Sequence, residues 1–255
     1  MQNRYVGDIG DYVKLAILRT LLPGRRLGVA WWLYPDERHN RDGRRIEYLD
    51  RPDVWRRFDP PLFDALKKIV HAQHRDVRAV ELASLMPGAL FAGEPIPCEL
   101  RPFGERAADR RRWFNRTKQQ LDSADLVFID PDNGIAPLGL KLTRRSAGKS
   151  VLPAEIGALR GPGRTLVVYH HQTRRKGGHI EELRHIADRL REAGCPVSGA
   201  LRASPWSPRA FFLIDADADI VRRAQAISAQ WDGLIGWHSD ISPHTLSKAV
   251  LDARF

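Results

Sequence analysis

The segment FIDPDNGI (128–135) brings two carboxylates and an amide together, Asp130, Asp132 and Asn133. An apolar run ends on Asp130, Pro131 stiffens the exit, and Asp132-Asn133-Gly134 suits a sharp turn. A carboxylate held at such a strand end can orient water, accept a proton or stabilise a positive sugar centre. The plainer alternative is a polar turn whose Asp and Asn bond their own backbone; the strong strand ahead of it favours chemistry. A second cluster, YPDERHN (34–40), offers Tyr34, Asp36, Glu37, His39 and Asn40 in one loop. It reads equally well as a solvated loop in which Arg38, Arg41, Arg44 and Arg45 pair the acids.

The segment VVYHHQTRRKGGH (167–179) sets His170 and His171 at another strand end, with Arg174, Arg175 and Lys176 beyond. Neighbouring side chains on a strand face opposite ways, so one imidazole at most reaches a crevice. His170 is the candidate, and the three bases form a candidate phosphate clamp. No metal site is expected, because no His or Cys stands at ligand spacing. In VGDIGDY (6–12), Asp8 and Asp11 surround two glycines at a helix start, where Asp11 suits a cap and Asp8 a ligand contact. Gly7 and Gly10 could let backbone approach that ligand. In ERAADRRRWFNRTK (105–118), Trp113 and Phe114 read as core, while Arg110, Arg111 and Arg112 face water or phosphate. Glu81 is either a solvated strand-end acid or an acceptor for a ribose hydroxyl.

These residues need elements to position them. Helical spacing predicts helices over 11–22, 61–74, 105–123, 178–193 and 218–231. Apolar runs predict strands over 27–34, 77–82, 98–103, 124–130, 164–170, 196–203 and 209–216, the last two joined by Ser204-Pro205-Trp206-Ser207-Pro208. The alternation implies an α/β fold: a Rossmann-like, mostly parallel sheet with helices on both faces and a C-terminal antiparallel hairpin at its edge. No repeat or linker divides residues 1–255, so a single domain with a polar insertion at about 35–60 is expected. The crevice in such sheets lies at the carboxyl ends of the strands, where the three clusters fall.

The chain has 255 residues, 41 Lys and Arg against 31 Asp and Glu, a net charge of +10 and a pI near 10.0. An excess of that size favours a polyanionic partner, since neutralising phosphates releases counterions. No apolar run approaches the roughly 20 residues of a membrane helix, and MQNRYVGDIG lacks a signal-peptide core. Two cysteines, Cys98 and Cys195, are too few for a bridge framework. A reduced, cytoplasmic protein without membrane contact is expected.

VGDIGDYVKLAILRTLL resembles the start of the bacterial ribosomal-RNA adenine N-methyltransferases of the J type, and LVFIDPDNG resembles their catalytic strand, which ends in Asp-Pro-Pro-Tyr. TLVVYHH falls where that family's next strand falls, so the resemblance runs in order over roughly 1–175. It implies a nucleic-acid substrate and carries over Asp130 and Pro131, with Asp8 or Asp11. Two segments depart from the pattern. YPDERHNRDG stands where the family has a glycine-rich turn for S-adenosylmethionine, and Asp132 stands after Pro131 in place of a second proline and the base-stacking aromatic. Taken together, VGDIGDYVKLAILR, YPDERHNRDG, FIDPDNG and VVYHHQTRR look like a bacterial group of phage-defence DNA glycosylases. That resemblance implies antiviral removal of a modified base, such as a glucosylated cytosine. FIDPDNG is also similar to the Gln-Asp-Pro-Tyr turn of uracil-DNA glycosylases.

The expectation is therefore a DNA glycosylase that flips a base and hydrolyses its N-glycosidic bond with no cofactor and no metal, acting on DNA before RNA. Asp130 would activate water or stabilise the sugar cation, with Asp132 or Glu37 sharing that task. Asn133, Asn40 and His39 would read the base, Tyr34 or Trp32 would stack on it, and His170, Arg174, Arg175 and Lys176 would hold phosphates. The alternatives are an S-adenosylmethionine-dependent adenine methyltransferase, a non-catalytic basic nucleic-acid-binding module, and a nuclease holding magnesium on Asp130, Asp132 and Glu37.

Overall fold

A computed structural model describes residues 1–37, 42–98, 104–173, 175–231, 233–239 and 241. Its strands are β1 (Leu27–Ala30), β2 (Leu90–Ala92), β3 (Leu126–Ile129), β4 (Gly134–Ile135), β5 (Ser150–Val151), β6 (Thr165–His171), β7 (Val197–Ala203), β8 (Arg209–Ile214) and β9 (Ile235–His238). Its helices are α1 (Ile9–Leu21), α2 (Pro52–Trp55), α3 (Pro60–His71), α4 (Val77–Leu82), α5 (Arg106–Gln120), α6 (Pro153–Leu159), α7 (Gly178–Glu192) and α8 (Ala218–Gln230). Seven strands form one sheet in the order β2-β1-β3-β6-β8-β7-β9, and β4 pairs with β5 in a small second one. From β2 to β6 neighbouring strands are parallel; from β6 to β9 each neighbouring pair is antiparallel.

The apolar runs explain why this sheet is covered on both faces. Phe128, Val167 and Phe211 join one core with α1, α3 and α8, while Val127, Ile129, Val168 and Phe212 join the other with α5, α6 and α7. Alternate residues thus feed opposite cores, and the strands read as continuous apolar stretches. Helix starts follow the capping chemistry. Asp8 accepts from the Asp11 amide, Asp59 from Leu62, Asp76 from Ala79 and Asp217 from Ile220.

Three expectations change. VRAVEL (77–82) is a helix: Asp76 caps it, and Val77 and Val80, three residues apart, are the side chains it buries. The strand beside β1 is instead β2, only three residues long, and the stretch 99–103 lies outside the described residues. The β7–β8 hairpin is not the sheet edge. β8 enters between β6 and β7, where Ala210, Phe211, Phe212, Leu213 and Ile214 are all fully buried, and β9 forms the edge. The polar stretch after β1 holds a 3-10 turn over Glu47–Asp50 and the short α2.

β1 lies between β2 and β3, so the chain leaves β1 on one side and returns on the other. That reversal opens a crevice beyond the carboxyl ends of β1 and β3. Among the described residues no helix is long and apolar enough to cross a membrane.

Gly134, at the end of this edge, has no room for a side chain. Its φ is +97°, and a β-carbon there would lie 2.5 Å from His170 Nδ1 and 2.6 Å from His170 Cα. Gly139, at φ +72°, faces open space. Gly134→Ala should lower unfolding free energy in urea by about 3 kcal/mol, combining left-handed strain with overpacking, whereas Gly139→Ala should cost about 1 kcal/mol.

Candidate active site

Asp130 emerges from β3 with its amide bonded to Ala30 O of β1 at 3.0 Å. Its carboxylate meets Lys14 of α1. Lys14 Nζ lies 2.7 Å from Asp130 Oδ2 and 2.7 Å from Asp11 Oδ1, and all three residues are buried. The spacing of Asp11 and Lys14, three apart, puts both on the helix face that docks against the strand ends. Burial opposes the charge on Lys14, but the two carboxylates outweigh it and keep the ammonium protonated far above its ordinary range. Burial pushes the Asp130 carboxyl upward, and Lys14 and the Met1 amine pull it back. Asp11 and Asp8 are also raised, again chiefly by burial. The Met1 amine donates to Asp130 O at 2.8 Å and Trp32 O at 3.2 Å.

Asp132 sits beside this network. Gln2 Nε2 donates to Asp132 Oδ2 at 2.8 Å and to Glu37 Oε2 at 3.2 Å, and Gln2 Oε1 accepts from the Glu37 amide at 2.9 Å. Lys149 bonds the Glu37 carboxylate and lies 3.4 Å from Asp132 Oδ2. Asp132 Oδ1 is buried and has no donor among the described residues, and the side chain is only 3% exposed. A buried acceptor in this state has a strong demand for a hydrogen-bond donor.

Asp130 and Asp132 line a cavity of about 670 Å³, within the range of small-molecule sites. Asn133 and Asp8 line it too, as do Tyr5, Arg44, Arg45, Tyr169, His171, Trp206 and Arg209. Strand alternation separates the paired histidines. Tyr169 and His171 face the cavity, whereas His170 Nδ1 accepts from the Ile135 amide at 3.1 Å and His170 Nε2 lies 3.6 Å from Glu182. Burial opposes the charge of Glu182, but His170 and Thr173 hold its carboxyl down at about 2. Burial, Arg209 and His170 lower the His171 imidazole, which favours its neutral form.

Other sequence candidates lie elsewhere. Tyr34 is buried beneath Lys149, whose Nζ is 5.0 Å from the ring centre, and burial raises its phenol to about 12. Asp36 accepts from the Arg4 amide at 3.2 Å. Trp32 is fully buried edge-on to Trp113, ring centres 4.7 Å apart, which leaves it no face for stacking on a ligand. Arg111, Arg175 and Lys176 are exposed and outside the cavity lining. Arg110, expected at the surface, is buried in a double bond to Glu155 at 2.6 and 2.8 Å. Glu81 lies on α4 and accepts from Trp31 Nε1 at 2.7 Å. His39, Asn40 and Arg174 lie outside the described residues.

Lys14, Arg209 and Trp206 carry no motif and were missed. Lys14 had one signal: a cation set within the apolar run of α1, three residues after an acid. The glycines of VGDIGDY serve the fold. A β-carbon at Gly10 would fall 2.6 Å from Arg209 Nη2, and one at Gly7 2.4 Å from Val70 Cγ2. Among the described residues no cluster of three His, Cys, Asp or Glu is placed to hold a metal. No protein-family model, curated protein or solved structure matches this chain.

Lys14→Met would leave two buried carboxylates without their cation. At pH 7 the variant should be about 3–5 kcal/mol less stable than the native chain in denaturant melts. A carboxyl raised in the folded state contributes stability below its unfolded pKa and loses it as pH rises through the folded value. The deficit should therefore shrink on acidification from pH 7 to pH 5, and a deficit that stays constant would refute this account.

Proposed function

We propose that the chain hydrolyses the N-glycosidic bond of a base in nucleic acid, DNA before RNA. The carrying observation is the buried oxygen of Asp132 that has no donor among the described residues, in a side chain that lines, with the Lys14-clamped Asp130, a cavity of about 670 Å³. Arg44, Arg45 and Arg209 on the same wall suit the flanking phosphates. The β1 exit is filled by buried Trp31, Trp32 and Tyr34, which favours hydrolysis over a bound methyl donor. The likeness to phage-defence glycosylases points the same way and suggests a modified base as substrate.

In this reading the C1′–N bond breaks and its electron pair leaves with the base, which takes a proton from solvent. Asp130, kept anionic by Lys14, stabilises the positive charge that develops at C1′. A water adds to C1′ and gives its proton to Asp132, whose free oxygen accepts it.

The test is nucleoside mass spectrometry on modified phage DNA, plasmid DNA and RNA after incubation with the protein, with and without S-adenosylmethionine. Free base and abasic sites should appear independently of the donor. Asp130→Asn and Asp132→Asn should each lower release about a hundredfold or more while oligonucleotide binding persists. A methylated nucleoside formed only with donor, or full activity in folded Asp130→Asn, would overturn the proposal. Burial raises the Asp130 carboxyl, so protonation removes the anion at unusually high pH. The acid limb of the rate profile should fall above the ordinary carboxylate range near 4.

A further inference from the structure

Of the seven tryptophans, Trp31, Trp32, Trp55, Trp113 and Trp231 are buried, whereas Trp206 is 51% exposed. It occupies the β7–β8 turn between Pro205 and Pro208, and it lines the same cavity as Asp130 and Asp132. The turn is held from several sides. Arg209 Nη1 donates to Pro205 O at 3.0 Å and Ser207 O at 2.9 Å, the Ser204 amide to Leu234 O at 2.9 Å, and the Gln172 amide to Pro208 O at 3.1 Å. Trp206 has φ +57°, a strained backbone for a bulky residue, and its ring rests on the buried Trp55 with centres 5.8 Å apart. A large apolar ring is thus fixed at the cavity mouth, backed by an aromatic on one side. Strain concentrated in a braced turn at a candidate site is the pattern of a ligand contact.

We infer that Trp206 is a stacking platform for an unpaired nucleobase at the mouth of the cavity, with the Arg209 guanidinium beside it for the adjoining phosphate. The identity of the ligand rests on the hydrolase reading above, but stacking needs no turnover and is tested apart from it. Every base has a π-face, so the platform selects exposed bases and is tolerant of sequence. It makes substrates with a flipped or single-stranded base preferable to intact duplex.

The experiment compares two probes of equal length and charge: a 12-nucleotide single-stranded oligodeoxynucleotide and the same phosphodiester chain built from abasic units. Native protein should bind the base-containing probe about tenfold more tightly, and 2-aminopurine placed in it should be quenched on binding. Trp206→Leu, which keeps an apolar cover over Trp55, should abolish that tenfold preference and leave affinity for the abasic chain unchanged; Trp206→Phe should restore most of it. Arg44→Gln with Arg45→Gln should weaken both probes alike and flatten the salt dependence. Equal affinity of native protein for the two probes overturns the inference, as does an undiminished preference in Trp206→Leu. So does a Trp206→Leu change confined to self-association in sedimentation. Stacking without base release from any substrate would remove the hydrolase reading alone; base release with preference intact in Trp206→Leu would remove the platform alone.

Discussion

The ammonium of Lys14, buried between Asp11 and Asp130, is the contact on which the strand end depends. It joins the first helix to the third strand of the sheet at the point where the chain opens into a cavity. A buried ion pair of this kind adds little net stability, because desolvating its members offsets their attraction. Its effect is positional. With one cation serving two carboxylates, α1 has one depth and one rotation at which no charge is stranded. The same contact sets the Asp130 carboxyl against a cation within a low-dielectric wall, where charges act most strongly on their neighbours.

A second buried pair works from the opposite face. Arg110 of α5 holds Glu155 at the start of α6 and donates to Ala147 O at 2.7 Å and Ser150 O at 2.6 Å. Those carbonyls bracket Lys149, which bonds Glu37 and approaches Asp132. Gln2 closes the arrangement from the N-terminal side by bridging Glu37 and Asp132. One Asp132 oxygen is thus crowded with donors, while the other is buried and has none among the described residues. Two cores on two faces of the sheet converge on the surroundings of Asp132.

Apolar runs were legible where both sheet faces are covered, since burial on both sides demands continuous hydrophobicity. The β1, β3 and β6 segments read as strands for that reason, and β7 and β8 from the short connection between them. The short elements were not. β2 spans three residues, too few for any periodicity, and VRAVEL carries β-branched residues whose strand preference is outweighed by the Asp76 cap and tertiary packing. Position of the β8 strand within the sheet follows from long-range pairing, which no local pattern encodes.

By itself the sequence determined the α/β class, the delivery of Asp130 to a strand end and the turn that follows it, because local apolar patterning, proline and glycine control those features. It also determined that the paired histidines must face opposite ways. Tertiary structure alone decided that His171 is the one on the cavity, that Lys14 reaches Asp130 across 116 positions of chain, and that Trp32 and Tyr34 are enclosed. The physical reason is that side-chain alternation and capping act over a few residues, whereas charge pairing and enclosure depend on which distant elements the sheet order brings into contact.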